Sequence, residues 1–434
     1  MAMDCVTRHT LSESYGVKLA ILTQYYPPET GAPQNRLSDL AVRLAARGHE
    51  IQVLTALPNY PGKVVHPEYV GRENTVEWLD GVRVARVGLY VPHEKTFVNR
   101  LRCYLSFARN ARRMGARLLR RTDVLLMESP PLFIAWAGTH ISRRLGARLV
   151  TNVADLWPES AVEIGMLRAG PALWAARWLE SWMYRRSALI TAQTEGIVDD
   201  IRRRFSTARV VLFPNGVDLA VYDMPLDREG IRTEFNWDNS LFVIGYTGVL
   251  GHSQALHQIL DAALLLRDEN GIEFALFGDG PVRDELETRI MQEDIRSVVI
   301  YPHQPRERMP HIQAALDAGI VPLAKGRLLE GARPSKMFEI MATGKPVILC
   351  ARGEAERLLH LGEDGPAGLA VPPEDPPALA CCVRELKLQK ETATAMGRRG
   401  KELVRKHFDR EQISYELERV LLTMIHGTTN RKTV

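Results

Sequence analysis

Two doubly wound α/β halves, each built on a mostly parallel sheet, are the fold class this sequence predicts. A strand–loop–helix–strand unit opens the chain at 18–55, and the same grammar restarts at 241. A chain of 434 residues is also too long for one ordinary domain and suits two of about 200 each.

The first unit begins with the strand KLAILT (18–23) and a Pro- and Gly-rich loop, YYPPETGAPQN (25–35). Leu37, Leu40, Ala41, Leu44 and Ala45 then fall at i, i+3, i+4, i+7 and i+8, the spacing of one buried helix face. Gly48 closes that helix and EIQVLT (50–55) is the next strand, which makes a parallel βαβ unit. Further strands are expected at 83–87, 123–127, 148–153 and 188–192. In the second half a strand at 241–247 leads through the glycine turn GVLGH to a helix at 253–268. Strands at 273–277, 297–301, 318–323 and 346–350 continue the alternation. These patterns place an N-terminal domain at 17–214 and a C-terminal domain at 215–405. A last helix with a tail, 406–434, is expected to pack back towards the first domain.

Apolar residues make up 45% and charged residues 25% of the chain, as in soluble globular proteins. A net charge of +4 is too diffuse to imply nucleic acid, whose binders concentrate positive charge on one face. The five cysteines form no C-x-x-C pair, which favours a reducing, cytoplasmic compartment. Residues 1–16 lack the apolar core of a signal peptide, and no apolar stretch is long enough to span a membrane. Residues 95–122, opening on Lys95 and closing on Thr122, hold eight arginines and no acid. Phe97, Leu101, Tyr104, Leu105 and Ala108 keep rough helical spacing there. A basic amphipathic helix of this kind reads either as a dock for anionic lipid or as a core-packing helix with solvated arginines.

Open parallel sheets bind ligands beyond the carboxyl ends of their strands. The first such loop in the second half is Gly248-Val-Leu-Gly251, where glycines let a phosphate approach the backbone. A plain tight turn would use the same residues. The spacing G-x-x-G also differs from the dinucleotide pattern G-x-G-x-x-G, which weighs against an NAD-dependent oxidoreductase. A second stretch, PSKMFEIMATGKPVI (334–348), sets Glu339 on a short helix ended by Gly344 and Pro346, with Met337, Ile340 and Met341 buried. On spacing alone Glu339 is a solvated acid pairing with Lys336.

PSKMFEIMATGKPVI resembles the second-glutamate motif of family 4 retaining glycosyltransferases. Other stretches follow in that family's order: YYPPETGAPQNR (25–36), RGHEIQVLTALPNYPGK (47–63), ESPPL (128–132), DLWPES (155–160), FPNGVD (213–218), YTGVLG (246–251), FGDGP (277–281) and YPHQPRERMP (301–310). The resemblance runs over roughly 17–406 and is nearest to the branch that builds bacterial surface polysaccharides. It implies the GT-B fold, two Rossmann-like domains facing a deep cleft. It also implies transfer of a sugar, with retention, from a nucleotide diphosphate (UDP ahead of GDP) to a glycan, lipid-linked sugar or small molecule.

Residue by residue, the resemblance implies that Glu339 holds the ribose hydroxyls and that Ser335, Lys336, Gly248 and Gly251 cradle the diphosphate. His303 and Gln304 would flank the base, Gly31 would close over the donor, and Asp155 would stand near the transferred sugar or the acceptor. No metal or other cofactor is implied. The pattern is broken at Gly331, where the usual first glutamate falls, and Glu330 is one position off. It is broken again at Val249, at His252 or Ser253, and at Ala154, where basic residues are common. Lys325, Arg327, Arg333 and Lys336 are expected to supply the missing charge. Two other readings stay open: a non-catalytic nucleotide-sugar-binding relative, and a sugar-nucleotide epimerase on the same fold.

Overall fold

The computed structural model describes residues 16–29, 31–59, 64–92, 96–163, 165–362 and 364–427. The expectations placed on residues 1–15, on Lys95 and on the 428–434 tail lie outside the described residues, as do Thr30 and 60–63 of two quoted motifs. So do the side chains of Phe97 and Arg327.

The first eight strands are β1 Lys18–Leu22, β2 Glu50–Ala56, β3 Thr75–Leu79, β4 Val82–Val87, β5 Val124–Ser129, β6 Arg148–Val153, β7 Leu189–Ala192 and β8 Val210–Leu212. They form one sheet in the order β3-β4-β2-β1-β5-β6-β7-β8. β4, β2, β1 and β5 run parallel, and β3 turns back antiparallel onto β4. The second sheet holds β9 Phe242–Thr247, β10 Ile272–Phe277, β11 Val298–Tyr301, β12 Ala318–Pro322, β13 Val347–Cys350 and β14 Gly368–Val371. Its order is β11-β10-β9-β12-β13-β14, and every pair is parallel. The inner strands are buried along almost their whole length, as a sheet covered on both faces requires. β3, β8 and β14 have no clear signal in the sequence: β3 is an edge strand exposed at three of its five positions, and the other two are three or four residues long.

The chain divides into two compact units. One runs to Thr151 and takes in Arg186–Ala188 and the chain from Glu418; the other holds Asn152–Arg185 and Leu189–Leu417. In the second unit the Ser335–Ala342 helix buries Met337, Phe338, Ile340 and Met341 against Val347, Leu349, Leu403 and Phe408. Phe338 and Phe408 meet with ring centroids 4.6 Å apart. Gly344 ends that helix at φ 71°, the left-handed turn only glycine takes freely.

Two helices depart from their expected form. The helix expected at 253–268 begins later, as His257–Leu265. A single 3-10 turn, His252–Gln254, and a left-handed Ala255 come first. The Phe97–Leu118 helix starts at a Thr96 cap, but it buries Cys103, Phe107, Ala108 and Ala111, and leaves Leu105 and Val98 in solvent. Its buried stripe is displaced from the expected one: Phe107 turns inward with Ala108, Ala111 and Gly115, and a Cβ on Gly115 would fall 2.5 Å from Ile141 of the Ile134–Leu145 helix.

Candidate active site

β9 ends at Thr247 and delivers the chain into the loop 248–251. Gly248 takes φ 142°, a conformation L side chains avoid. Its N–H donates to the Phe277 carbonyl at 3.0 Å, and the Leu250 N–H donates to that of Asp279 at 2.9 Å. A Cβ on Gly278 would fall 1.9 Å from the Gly248 oxygen, and one on Gly280 2.3 Å from the Leu250 oxygen. The glycine loops after β9 and β10 therefore lie backbone against backbone. Gly251 is different: at φ −119°, with its nearest Cβ contact at 3.7 Å, its position is open to other residues.

Lys336, in the first turn of the Ser335–Ala342 helix, reaches up to this loop. Its Nζ donates to Tyr246 Oη and to Gln254 Oε1, both at 2.9 Å. It also sits 4.1 Å from the Tyr246 ring centroid, a cation–π arrangement. The Tyr246 hydroxyl in turn donates to the Val249 carbonyl at 2.6 Å, which ties the ammonium's support to the loop itself. The position a Cβ would take on Gly248 is 3.2 Å from Lys336 Nζ. Among the described residues no carboxylate lies within ion-pair distance of that nitrogen. Burial pushes the Lys336 ammonium down to about 7, while the charge on Glu339 pulls the other way. An ammonium held by a phenol and an amide beside a glycine turn is suited to an incoming anion. The helix carrying it has no side-chain cap and no acid in its first turn, where Ser335 stands, so its N-terminal dipole adds to the same field.

One turn further on, Glu339 is half-buried, and it does not make the Lys336 pair that its spacing suggested. Its Oε2 accepts from Gln313 Nε2 at 3.2 Å, and Gln313 donates equally to Thr247 Oγ1 at 3.2 Å. Tyr222 Oη holds the Gln313 carbonyl oxygen at 3.3 Å. Both amide hydrogens of Gln313 are thus engaged, which orients the Glu339 carboxylate. Among the described residues nothing donates to its Oε1.

The other expected residues have different partners. Arg333 pairs with Glu354, which Arg357 also reaches at 2.7 Å, and the Arg333 Nε is buried without a partner. Lys325 is exposed, its backbone N–H bound to Glu374 Oε1 at 2.7 Å. Of the expected cations with described side chains, Lys336 alone touches the glycine loop. His252 and His303 are exposed, whereas Gln304 is buried and binds the Pro302 carbonyl at 3.2 Å and Arg308 at 3.0 Å. Asp155 follows β6 and accepts from Ser160 Oγ at 2.6 Å; burial raises its carboxyl above the ordinary range. Gly31 caps the Ala32–Ala46 helix in extended backbone, and its carbonyl accepts from the Asn35 N–H at 3.0 Å. A Cβ there would meet only the flexible end of Gln34, so no backbone requirement selects glycine. Gly331 and Glu330 are both exposed.

Sequence reasoning missed Tyr246, Gln254, Gln313 and Tyr222. Tyr246 stands inside YTGVLG, where its spacing marks only a strand residue. Gln313 and Tyr222 lie on separate helices with no spacing relation to Glu339.

The model for the Glycosyl transferase 4-like domain matches residues 31–216, and that for Glycosyl transferases group 1 matches 227–403. A protein named as a colanic acid biosynthesis glycosyl transferase, WcaI of Escherichia coli K12, is 26% identical over 406 residues, covering 92% of this chain and 98% of its own. Sucrose-phosphate synthase of Thermosynechococcus elongatus shares the fold with a TM-score of 0.71 at 17% identity, over 95% of this chain and 100% of its own. Anabaena HepE, solved in complex with UDP, shares it with a TM-score of 0.67 at 17% identity, over 94% of this chain and 100% of its own.

Proposed function

We propose, on the premise that this chain belongs to the GT-B glycosyltransferases, that it moves a sugar from a nucleotide diphosphate to an acceptor with retention at the anomeric carbon. The donor is a UDP-sugar ahead of a GDP-sugar, and the acceptor a glycan, a lipid-linked sugar or a small molecule. The observation that carries this reading is the placement of Lys336 Nζ against Gly248, one helical turn from the oriented carboxylate of Glu339. In it the Glu339 carboxylate accepts from two ribose hydroxyls. The loop at Gly248, the N–H groups at the helix start and the Lys336 ammonium take the diphosphate.

Breaking the bond from the anomeric carbon to the β-phosphate oxygen leaves negative charge on that phosphate. A preorganised ammonium and helix N-terminus stabilise the charge as it develops, without a metal ion. Asp155 stands near the transferred sugar or the acceptor, as the family resemblance implies. The UDP complex of HepE supports the choice of base, and the likeness to WcaI supports a role in surface-polysaccharide assembly.

A surface-bound cytoplasmic enzyme is part of the same proposal. Among the described residues no helix is long and apolar enough to cross a membrane. The Phe97–Leu118 helix turns Val98, Arg102, Leu105 and Arg109 to solvent, a mixed basic and apolar face suited to anionic lipid. A non-catalytic relative is the second reading, favoured by the absence of an acid at Gly331 and of a cation at Val249.

A thermal-shift screen with UDP, GDP, ADP and their sugars, followed by hydrolysis and transfer assays on those that bind, tests both. Stabilisation by UDP with sugar release that Glu339→Ala removes is the expected result. Binding without turnover would select the non-catalytic reading, and no shift with any nucleotide would overturn both.

A further inference from the structure

The Pro171–Arg186 helix buries Leu173, Glu180, Met183 and Tyr184 on one face. The opposite pole carries Trp174, Trp178 and Trp182 at i, i+4 and i+8. Trp174 is 70% and Trp178 57% exposed, and Trp178 stacks on Trp182 at 6.4 Å with their planes 15° apart. Three of the seven tryptophans in the chain therefore line the solvent side of one helix whose inner face is also apolar, where a surface helix ordinarily turns polar residues to water. The only acid on this helix, Glu180, is turned inward, where Arg204 binds it at 2.7 Å. Arg185 is exposed at the end of the tryptophan row, with Arg186 beside it.

The stripe presents roughly 300–400 Å² of indole surface, judged from the area a tryptophan side chain can bury. That is about half of what each partner contributes to a stable protein–protein interface. It does match the demands of a lipid headgroup layer, where an indole inserts its apolar body and keeps its N–H hydrated, while arginines meet phosphate. We infer that the tryptophan stripe of the Pro171–Arg186 helix docks the protein onto an anionic bilayer surface. The inference uses a helix distinct from Phe97–Leu118 and does not rest on the donor-site residues.

The full-length protein is mixed with vesicles of phosphatidylcholine alone, or of phosphatidylcholine with phosphatidylglycerol. It is expected to sediment with the anionic vesicles, to shift its tryptophan emission to the blue, and to be quenched by brominated lipid. W174A/W178A is expected to lose at least roughly tenfold in partitioning, with an unchanged unfolding temperature in the absence of ligand. Should that variant unfold early, W174Q/W178Q, which keeps long side chains on the helix but removes the indoles, decides by the same partitioning measurement. Protein that stays in the supernatant, equal binding to neutral vesicles, or partitioning that the double substitution leaves intact would overturn the inference. So would a concentration-dependent dimer that W174A/W178A disperses, since the stripe would then serve a second copy.

Discussion

Lys336 exchanges water for a phenol, an amide and the face of Tyr246, and that exchange makes its charge sensitive to pH near neutrality. Its folded value of about 7 lies below the 10.5 of the unfolded chain. Between those values the unfolded state binds more protons. Stability of the ligand-free protein should therefore rise with pH across that window, and Lys336→Met should remove this contribution. Diphosphate binding asks for the opposite state. UDP affinity should fall as pH rises above about 7, with proton uptake on binding, and both effects should vanish in Lys336→Met; calorimetry in buffers of different ionisation enthalpy measures this. Glu339→Gln keeps the shape but replaces a charge-assisted acceptor with a neutral one. UDP affinity should drop by roughly tenfold or more with little change in unfolding temperature, as a binding isotherm and a melting curve would record.

At the scale of elements, the two glycine loops form one piece of structure because their backbones leave no room for side chains. Gly248→Ala combines an unfavourable φ with a Cβ at 3.2 Å from Lys336 Nζ. It should cost about 1–3 kcal/mol in a denaturant titration and weaken UDP binding further by displacing the ammonium. Gly251→Ala, at negative φ with open space, should stay within about 0.5 kcal/mol and serves as the control. The helix that begins at His257 instead of 253 belongs to the same logic. Gln254 can receive Lys336 because the 3-10 turn and the left-handed Ala255 hold it back from the helix.

At the scale of the whole chain, stability depends on buried charges as well as on its sheets. Arg36 and Glu128 are each 5% exposed and pair at 2.5 Å, one from the Ala32–Ala46 helix and the other from β5. Removing one partner strands the other in a low-dielectric interior, so Glu128→Ala should cost about 3–5 kcal/mol and lower the melting temperature accordingly. The Arg410–His426 helix contributes in a different place: Glu418 accepts from Arg47 at 2.8 Å and lies 2.8 Å from His49 Nε2.

The sequence by itself determined the alternation of elements, because runs of Val, Ile and Leu at strand spacing and the 3.6-residue apolar faces are local properties. Among the described residues, eleven of the fourteen strands and the final helix are legible that way. It also singled out Gly248 as a loop glycine beyond a parallel strand, and Glu339 through resemblance; local spacing alone made Glu339 a solvated acid paired with Lys336. Tertiary structure decided otherwise. Lys336 turns to Tyr246 and Gln254, 90 and 82 positions away, and Glu339 turns to Gln313, 26 positions away. It also set Arg333 on Glu354 and left Lys336, alone of the expected cations with described side chains, at the Gly248 loop. Which cation faces a ligand depends on what else competes for it. Those competitors are brought together by sheet order, a long-range property that periodicity and spacing do not encode.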